Sequence, residues 1–340
     1  MDRYIPKRLF QGGVRFFANI IVYGIGLLLF THQRYYVDSV RPEALSLLWT
    51  LFKIYLVVGL PLSIWSKEKK NKSMVLIKAI VKLPRVVSSY SYSFVSKIEK
   101  DVTWSNEEKV ALLFALVKLF YVPIMLGFSL NNLDILNDSI KSGNLFEMFS
   151  NFRLKYVHLL NLFFTIDTLI FSFGYLFESE KLKNVVKSVE PTFFGWAVAL
   201  ATYPPFNEVT NKYLGWYSRD YFFFPDPVVD IPLKIAVVFL IGIYLWATIS
   251  LGTKSSNLTN RGIVTWGAYR WVRHPAYISK VTAWWIMMLP RISLVAIISL
   301  IGWSVIYYLR AITEEKHLMN DADYRKYIKK TRFRFIPNLI

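Results

Sequence analysis

The sequence predicts an all-α protein, a multispanning bundle of transmembrane helices. Hydrophobic residues make up 54% of the chain and aromatic residues 17%, and the apolar residues occur in long continuous blocks. Such blocks are typical of membrane-spanning helices, whereas the strands of a β-barrel alternate apolar and polar residues. The chain carries 41 basic and 23 acidic residues, a net charge of +18, with the basic residues between the apolar blocks. This placement is typical of cytoplasmic loops of a membrane protein and argues against nucleic-acid binding.

We identify about eight apolar segments that are candidates for crossing the membrane. Their bounds are residues 16–30, 45–65, 110–130, 156–177, 191–206, 231–251, 276–290 and 292–309. The fifth and seventh are short, because a helix needs about 20 residues to cross the hydrocarbon core. The fifth ends in Tyr203-Pro204-Pro205, so we expect a tilted or incomplete crossing. The turn at Pro290-Arg291 joins the seventh and eighth segments, which predicts a tight hairpin.

The loop charges predict the orientation. Ten Lys and Arg residues lie within residues 67–109, three within 261–273 and eight within 310–334, whereas 131–155 and 207–230 are neutral or acidic on balance. Because basic loops stay on the cytoplasmic side, eight crossings with both termini in the cytoplasm place every basic loop inside. We therefore expect a multi-pass protein of the cytoplasmic (inner) membrane or the endoplasmic reticulum. No cleavable signal peptide is evident before the first segment.

We expect two parts in the chain. Residues 1–150 would form N-terminal transmembrane helices with a basic interfacial region at 67–109, and residues 151–340 a membrane core with a cytoplasmic C-terminal tail. Residues 73–104 mix basic and apolar side chains, which fits helices lying on the anionic cytoplasmic leaflet. A plain solvated connector fits the same residues, and the sequence leaves both interpretations open.

Composition excludes several kinds of chemistry. The chain has no cysteine, so disulfides, zinc-thiolate sites and cysteine nucleophiles are excluded. It has no internal repeat, no phosphate loop and no Gly-x-Gly-x-x-Gly after a strand, and we expect no metal site. Asp167 lies in the middle of the fourth apolar segment, where an ionised group is costly. It is therefore expected to face a countercharge or a substrate cavity.

The most informative stretch is residues 261–277, RGIVTWGAYRWVRHPAY, together with Glu314 and Glu315 about 40 residues later. Two membrane-length apolar segments separate the two pieces. A helix rises about 1.5 Å per residue, so a hairpin of these segments runs out across the membrane and back. Arg273, His274 and both glutamates should therefore lie at one membrane face. Such a cluster suits a charged cofactor and an apolar substrate.

These residues resemble the isoprenylcysteine carboxyl methyltransferase and phospholipid methyltransferase superfamily. The likeness is carried by Gly262-Ile263-Val264-Thr265, Gly267-Ala268-Tyr269, Val272-Arg273-His274-Pro275, Tyr277 and Thr313-Glu314-Glu315, and by the tail from Asp323 to Tyr327 and from Arg334 to Pro337. It covers about the last 90 residues. The resemblance implies an integral-membrane methyltransferase that uses S-adenosyl-L-methionine. The cofactor would bind at the cytoplasmic ends of the last helices and the tail, and a hydrophobic or lipid-linked acceptor would enter from the bilayer.

The resemblance assigns cofactor binding to Thr265, Gly267, Tyr269, Arg273, His274, Pro275, Tyr277, Glu314 and Glu315. The physical chemistry is compatible with it. The two glutamates suit the ammonium and ribose hydroxyls of the cofactor, while Arg273 and His274 suit its carboxylate through charge-assisted hydrogen bonds. The tyrosine rings suit the adenine and the sulfonium cation. Taken one at a time, the same residues also fit roles without a ligand, as membrane anchors or as the solvated end of a helix.

The catalytic residues predicted here are Arg261, Arg273 and Glu314, and the predicted acceptor-binding residues are Asn257, Arg261 and Trp285. Arg261 stands where isoprenylcysteine methyltransferases usually carry a histidine, so a prenylcysteine acceptor is not supported by this position. Arg261 suits an anionic acceptor such as a carboxylate or a lipid phosphate. Capping of the preceding helix is an equal alternative for Asn257, and a lipid-facing position is the alternative for Trp285. His317 is expected at the surface.

Two other functions fit parts of the sequence. Membrane reductases of the sterol reductase type share an Arg-His before a helix and a Tyr-rich tail, and their basic residues would hold the phosphates of NADPH. Two adjacent carboxylates suit a cationic cofactor better than a pyrophosphate, so the reductase is our second hypothesis. The other alternative is a non-catalytic lipid-binding membrane protein. The expected partners are a hydrophobic or lipid-linked small molecule and membrane lipids, with no nucleic acid.

Overall fold

The computed structural model describes residues 4–66, 71–96, 103–141, 151–213 and 222–339, and the regular secondary structure of this part is almost all α-helix, as predicted. The helices are α1 (Tyr4–His32), α2 (Arg34–Ser39), α3 (Pro42–Trp65), α4 (Lys72–Ser96), α5 (Asn106–Lys141), α6 (Phe152–Leu176), α7 (Phe193–Leu200), α8 (Phe206–Tyr213), α9 (Pro227–Leu251), α10 (Pro275–Met288), α11 (Leu294–Leu318) and α12 (Ala322–Lys330). One antiparallel ribbon pairs β1 (Ser188–Val189) with β2 (Thr259–Asn260).

Six described helices, α1, α3, α5, α6, α9 and α11, are long and apolar enough to cross a membrane. They correspond to six of the eight predicted segments. The fifth and seventh segments contain α7, with 8 residues, and α10, with 14 residues. Both fall short of the roughly 20 residues of a complete span. The protein is thus a multi-pass membrane protein with six candidate spans, and the count of eight stays a prediction.

The chain divides into two compact units, Met1–Pro123 and Ile124–Ile340. The sequence of α5 belongs in part to each of them. The boundary that we predicted at residue 150 falls on residues 142–150, which lie outside the described residues. The functional division at that point therefore stays a prediction.

In the first unit, α1 packs along α3 and α4. Asn19 links these helices, because its side-chain amide donates to the Tyr55 hydroxyl at 2.8 Å and accepts from Asn71 at 3.1 Å. The helical prediction for residues 73–104 is confirmed as far as Ser96, where α4 ends, and residues 97–102 lie outside the described part. Lys82 of α4 pairs with Glu108 at 2.6 Å. The position of α4 on a lipid leaflet stays a prediction.

In the second unit, α6, α9, α10 and α11 enclose a core of buried aliphatic and aromatic side chains. The predicted hairpin is confirmed as a contact between α10 and α11, joined by a 3-10 turn from Leu289 to Arg291. Trp284 of α10 packs edge-to-face against Tyr307 of α11, with ring centroids 5.3 Å apart. The indole of Trp285 donates to the Ser304 hydroxyl at 3.1 Å. Ring packing of this kind fixes the register of the two helices.

Helix α11 is longer than hydropathy predicts. The eighth apolar segment ends at residue 309, but the helix continues to Leu318. Residues 310–318 are mostly charged or straight-chain residues, which favour a helix although they do not favour lipid. Glu314 and Glu315 therefore lie inside the last turns of α11, at fixed angles to one another, and His317 is one turn further on.

Candidate functional site

A tight turn precedes α10 and places Arg273 and His274. Gly267 begins this turn with a φ of +62°, a conformation that L-residues with a side chain rarely adopt. A Cβ at this position would lie 2.1 Å from the Ser250 hydroxyl oxygen. A 3-10 turn follows from Gly267 to Arg270, and Pro275 occupies the first turn of α10, where its missing N–H costs nothing.

We expect Gly267→Ala to destabilise the second unit. The left-handed conformation costs a residue with a Cβ roughly 1–2 kcal/mol, and the contact with Ser250 adds to this. A melting curve of the detergent-purified protein should fall by several degrees, at about 2–4 °C per kcal/mol. Gly127→Ala is the matched control, because Gly127 lies in a helix and a Cβ added there meets no atom within 4 Å other than the neighbouring backbone of its own helix. Equal melting temperatures for the two variants would contradict this account.

Four side chains, Arg273, His274, Glu315 and Arg334, form what we term the Glu315 cluster. Arg273 Nε donates to Glu315 Oε1 at 2.7 Å, and His274 Nε2 lies 3.1 Å from the same oxygen. Arg334 donates through Nε at 3.1 Å and Nη2 at 2.8 Å. The Glu315 side chain is only 12% exposed. The predicted meeting of the Arg-His pair with a glutamate is confirmed, and these groups bind one another.

The Glu315 cluster fastens the C-terminal tail to the start of α10. The backbone N–H groups of Arg273 and His274 donate to the carbonyl oxygens of Phe333 at 3.0 Å and Arg334 at 2.9 Å. Tyr327 of α12 donates to the carbonyl oxygen of Tyr269 at 2.7 Å. Burial raises the pKa of Tyr327, so its hydroxyl stays protonated and keeps donating. Backbone and side-chain bonds thus hold the tail in one register.

Glu314 has different surroundings from Glu315. Its Oε2 accepts from the Tyr277 hydroxyl at 2.9 Å, and its side chain is 46% exposed. The Tyr277 ring stacks on His274, with centroids 5.3 Å apart and planes 13° from parallel. Tyr277 therefore connects the buried Glu315 cluster to the more open carboxylate of Glu314.

A partly open pocket lies beside Glu314, and Glu190, Asn257, Tyr277, Arg310 and Glu314 contribute to its lining. Glu190 is 4% exposed and accepts from the Thr192 N–H at 3.0 Å. The pocket therefore has two carboxylates and one guanidinium at its wall. A set of this kind suits a molecule that carries both a cation and a carboxylate.

His317 also lines the pocket, and its predicted surface position is wrong. The ring is 7% exposed, and Nε2 lies 2.9 Å from the Ser188 hydroxyl oxygen on β1. The error follows from the length of α11, since the extra turns carry His317 against the β-ribbon instead of into solvent.

Asn257 connects the pocket to α6, to α11 and to the turn after α7. Its side-chain amide donates to the hydroxyls of Tyr175 at 2.9 Å and Tyr203 at 3.0 Å, and its oxygen accepts from Arg310 at 2.9 Å. Arg310 also donates to the Thr202 hydroxyl at 2.8 Å. The alternative of a helix cap is wrong for Asn257, because α9 ends at Leu251 and the amide bonds to these other groups. Asn257 holds Arg310 in place at the pocket wall.

Arg261 is 3% exposed and is not itself among the residues that line the pocket, although its partner Ser256 is. It donates to the Ser256 hydroxyl at 2.9 Å and to the Asn184 carbonyl at 3.1 Å. Burial lowers the pKa of its guanidinium. Thr265 is exposed, and Trp285 packs in the hairpin. Acceptor binding by Arg261 and Trp285, and cofactor binding by Thr265, stay predictions.

Asp321 connects the β1–β2 ribbon to the start of α12. It accepts from the Asn260 amide at 2.8 Å and from Lys187 at 3.3 Å, and it caps α12. Burial alone would raise the pKa of Asp321, but the bonds from Asn260 and the Asp323 N–H and the charge of Lys187 keep it below its ordinary value. The carboxylate is therefore ionised at neutral pH. Asn260 and Asp321 position the strand from which the turn before α10 departs.

Comparison with known proteins finds one similarity, in the C-terminal region. Residues 230–320 match the isoprenylcysteine carboxyl methyltransferase (ICMT) family, over a stretch that includes α9, the turn before α10, and the α10–α11 hairpin. No curated protein and no solved structure matches the chain. Over these residues the chain is similar to a family of methyltransferases that use S-adenosylmethionine.

Proposed function

We propose that this protein is a membrane methyltransferase of the ICMT family, which binds S-adenosylmethionine in the pocket beside Glu314 and methylates a hydrophobic or lipid-linked acceptor. The observation that carries the proposal is the placement of Glu190, Glu314 and Arg310 around one pocket at the end of an apolar helical hairpin. The carboxylates suit the ammonium and sulfonium of the cofactor, and the guanidinium suits its carboxylate. The ring of Tyr277 adds a face for a cation or a base.

In this proposal Glu314 contacts the cofactor, and the Glu315 cluster positions it. Arg273, His274 and Glu315 were predicted to bind the cofactor directly, but their described side-chain hydrogen bonds join them to one another and to residues 331–334 of the tail. By holding the tail against α10 they fix Tyr277, which stacks on His274 and donates to Glu314. Pro275, Gly267 and Tyr269 support the same turn.

Bound S-adenosylmethionine supplies an electrophilic methyl group on a sulfonium. Transfer to an acceptor needs alignment of the reacting groups and needs no covalent bond to the protein. The chain contributes charged groups that orient the cofactor and a helical core of aromatic side chains that excludes water from the inner side. The absence of cysteine is therefore compatible with the reaction.

The reductase alternative is less well supported by the pocket. Two carboxylates, one of them 4% exposed, would repel the phosphates of NADPH. Thermal denaturation separates the two functions, because a ligand that binds the folded state raises the melting temperature. Detergent-purified protein should melt at a higher temperature with S-adenosylhomocysteine and be unaffected by NADPH. Stabilisation by NADPH alone would reject the proposal.

We also propose eight membrane crossings, with both termini in the cytoplasm. The starts of α6 and α9 lie together, since Arg153 donates to the Phe224 carbonyl at 2.9 Å. The ends of α6 and α9 also lie together, because Asn184 donates to the carbonyl of Phe177, just after α6, at 2.8 Å and to that of Thr253, just after α9, at 3.2 Å. Two successive long helices that run in the same direction require a return between them. The segment that contains α7 and α8 supplies this return.

The same argument supports a crossing by α10. Arg273 at its start contacts Glu315 near the end of α11, and the 3-10 turn at Leu289–Arg291 leads to the start of α11. If α11 crosses the membrane, α10 and this turn together span the same distance between the two membrane faces, in the opposite direction. From Pro275 to Arg291 they are about 25 Å long at 1.5 Å per residue, close to the hydrocarbon thickness of about 30 Å.

Topology reporters test the count. Fusions after residue 40 and after residue 340 should report opposite sides of the membrane, because one crossing separates residue 40 from the N-terminus. Fusions after residue 260 and after residue 340 should report the same side, since α10 and α11 together make a complete return. Opposite sides for the second pair would exclude a crossing by α10, and with it the count of eight.

A further inference from the structure

Lys280 lies in a cage of aromatic rings inside the α10–α11 region. Its Nζ is 5.2 Å from the ring centroid of Tyr244, 5.3 Å from that of Trp284 and 5.9 Å from that of Tyr307. The cage comes from three helices, α9, α10 and α11. The lysine is five residues past Pro275, about 8 Å along the helix, and is only half-buried. A cation at this depth of a membrane protein is costly unless it has a function or a partner.

The nearby carboxylate is already bound by hydroxyl groups. Asp167 accepts from the Tyr244 hydroxyl at 2.7 Å and from the Thr248 hydroxyl at 2.6 Å. Lys280 interacts with Asp167 electrostatically, but within the described part of the chain no carboxylate lies within 4.0 Å of Lys280 Nζ. The rings stabilise the ammonium without replacing an anionic partner. The cage thus holds Lys280 in position, and its ammonium group can still accept an anion as a partner.

A second cation lies on the same ring. Arg310 Cζ is 5.2 Å from the centroid of Tyr307 and 5.2 Å from that of Tyr277. Along α11, Glu314 comes one turn after Arg310, and Tyr307 about one turn before it. The carboxylates of Glu190 and Glu314 therefore lie toward the end of α11, and the cations Arg310 and Lys280 lie toward its middle. This order suits a cofactor with its ammonium at the glutamates and its carboxylate at Arg310, and an anionic acceptor further in, at Lys280.

We propose that Lys280 binds the anionic head group, a carboxylate or a phosphate, of a lipid-like molecule in the acceptor site. The inference rests on the proposed function and adds a specificity-determining residue to it. For a carboxylate acceptor the reaction balances without a proton: a C–O bond forms, the methyl–sulfur bond breaks, and its electron pair leaves on a neutral thioether. Lys280 then neutralises the acceptor until transfer converts the carboxylate into an uncharged ester, which has no further attraction to the lysine.

The test compares a charged probe with its neutral form. The probes are N-acetyl-S-farnesylcysteine and its methyl ester, with phosphatidylglycerol and diacylglycerol, which has no phosphate, as a second pair that reports on phosphate head groups. Binding is measured by titration of the detergent-purified, full-length protein. We expect the wild type to prefer at least one anionic probe over its neutral counterpart about tenfold. Lys280→Met should reduce that preference to below twofold, and Lys280→Arg should keep it.

Lys181→Met is the matched control, because it removes the same charge from an exposed turn of the same unit. Preference for the acid alone identifies a carboxylate, and preference for phosphatidylglycerol alone identifies a phospholipid head group. A wild type that binds both members of each pair equally would overturn the proposal, as would an unchanged preference in Lys280→Met. The wild-type comparison holds even if a variant fails to fold. Binding of S-adenosylhomocysteine to the wild type is measured in parallel. If the wild type does not bind it, the proposed function is rejected independently of the role of Lys280.

Discussion

Replacing Glu315 with glutamine is expected to lower the melting temperature by about 5 °C or more and to weaken S-adenosylhomocysteine binding at least about tenfold. The buried carboxylate binds Arg273 at 2.7 Å and Arg334 at 2.8 Å. Glutamine has a similar shape but no charge, so two guanidinium groups would lose their counterion. Removing one partner of a buried ion pair costs roughly 3–5 kcal/mol. Cofactor binding should fall with it, because the tail would no longer hold Tyr277 in place.

The measurement combines a melting curve with isothermal titration of the detergent-purified variant. Glu180→Gln serves as the control, since it removes the same charge from an exposed turn of the second unit. Arg273→Lys should resemble Glu315→Gln, because lysine cannot donate to the glutamate and to the tail carbonyls with one planar fork. A Glu315→Gln protein with wild-type stability and binding would mean that the Glu315 cluster is incidental to the fold and to the site.

Hydropathy predicted the helical class because lipid exposure requires long apolar helices with satisfied backbones. It was less informative where a helix leaves the apolar region. The end of α11 at Leu318 was missed, since Arg310 interrupts the apolar run while remaining a good helix former. The brevity of α7 and α10 was visible in the sequence, but their lengths alone do not decide whether they cross.

The Arg-His-Pro run and the paired glutamates were predictable because they form a compact pattern at the two ends of a hairpin. The sequence did not predict which of the two glutamates binds the arginines and which one faces the pocket. Neighbouring residues of a helix point about 100° apart, so which one faces the tail depends on the rotation of α11. That rotation is fixed by packing, for example by Trp284 against Tyr307, and leaves no local signal.

Glu190 and Arg310 were missed as site residues for a related reason. Glu190 precedes Pro191 in a loop far along the chain from the hairpin, and it reaches the site through the β1–β2 pairing. Arg310 carried one usable signal, its spacing of four residues before Glu314, which puts both on one side of a helix. At the edge of an apolar segment that signal is hard to tell from a membrane anchor. Long-range pairing, which a single sequence does not encode locally, decides both positions.

The charge of Glu314 is expected to bind the cofactor ammonium, and Glu314→Gln tests this directly. Affinity for S-adenosylhomocysteine, which has an amino-acid end, should fall about tenfold or more, as expected for a lost charge-assisted bond of about 1.5–3 kcal/mol. Affinity for 5′-methylthioadenosine, which has the same adenosine but no amino-acid end, should stay within twofold. The melting temperature without ligand should change little, because the side chain is 46% exposed and a surface charge contributes little to stability. Equal losses for both ligands would place Glu314 at the ribose, and no loss for either would remove it from the cofactor site.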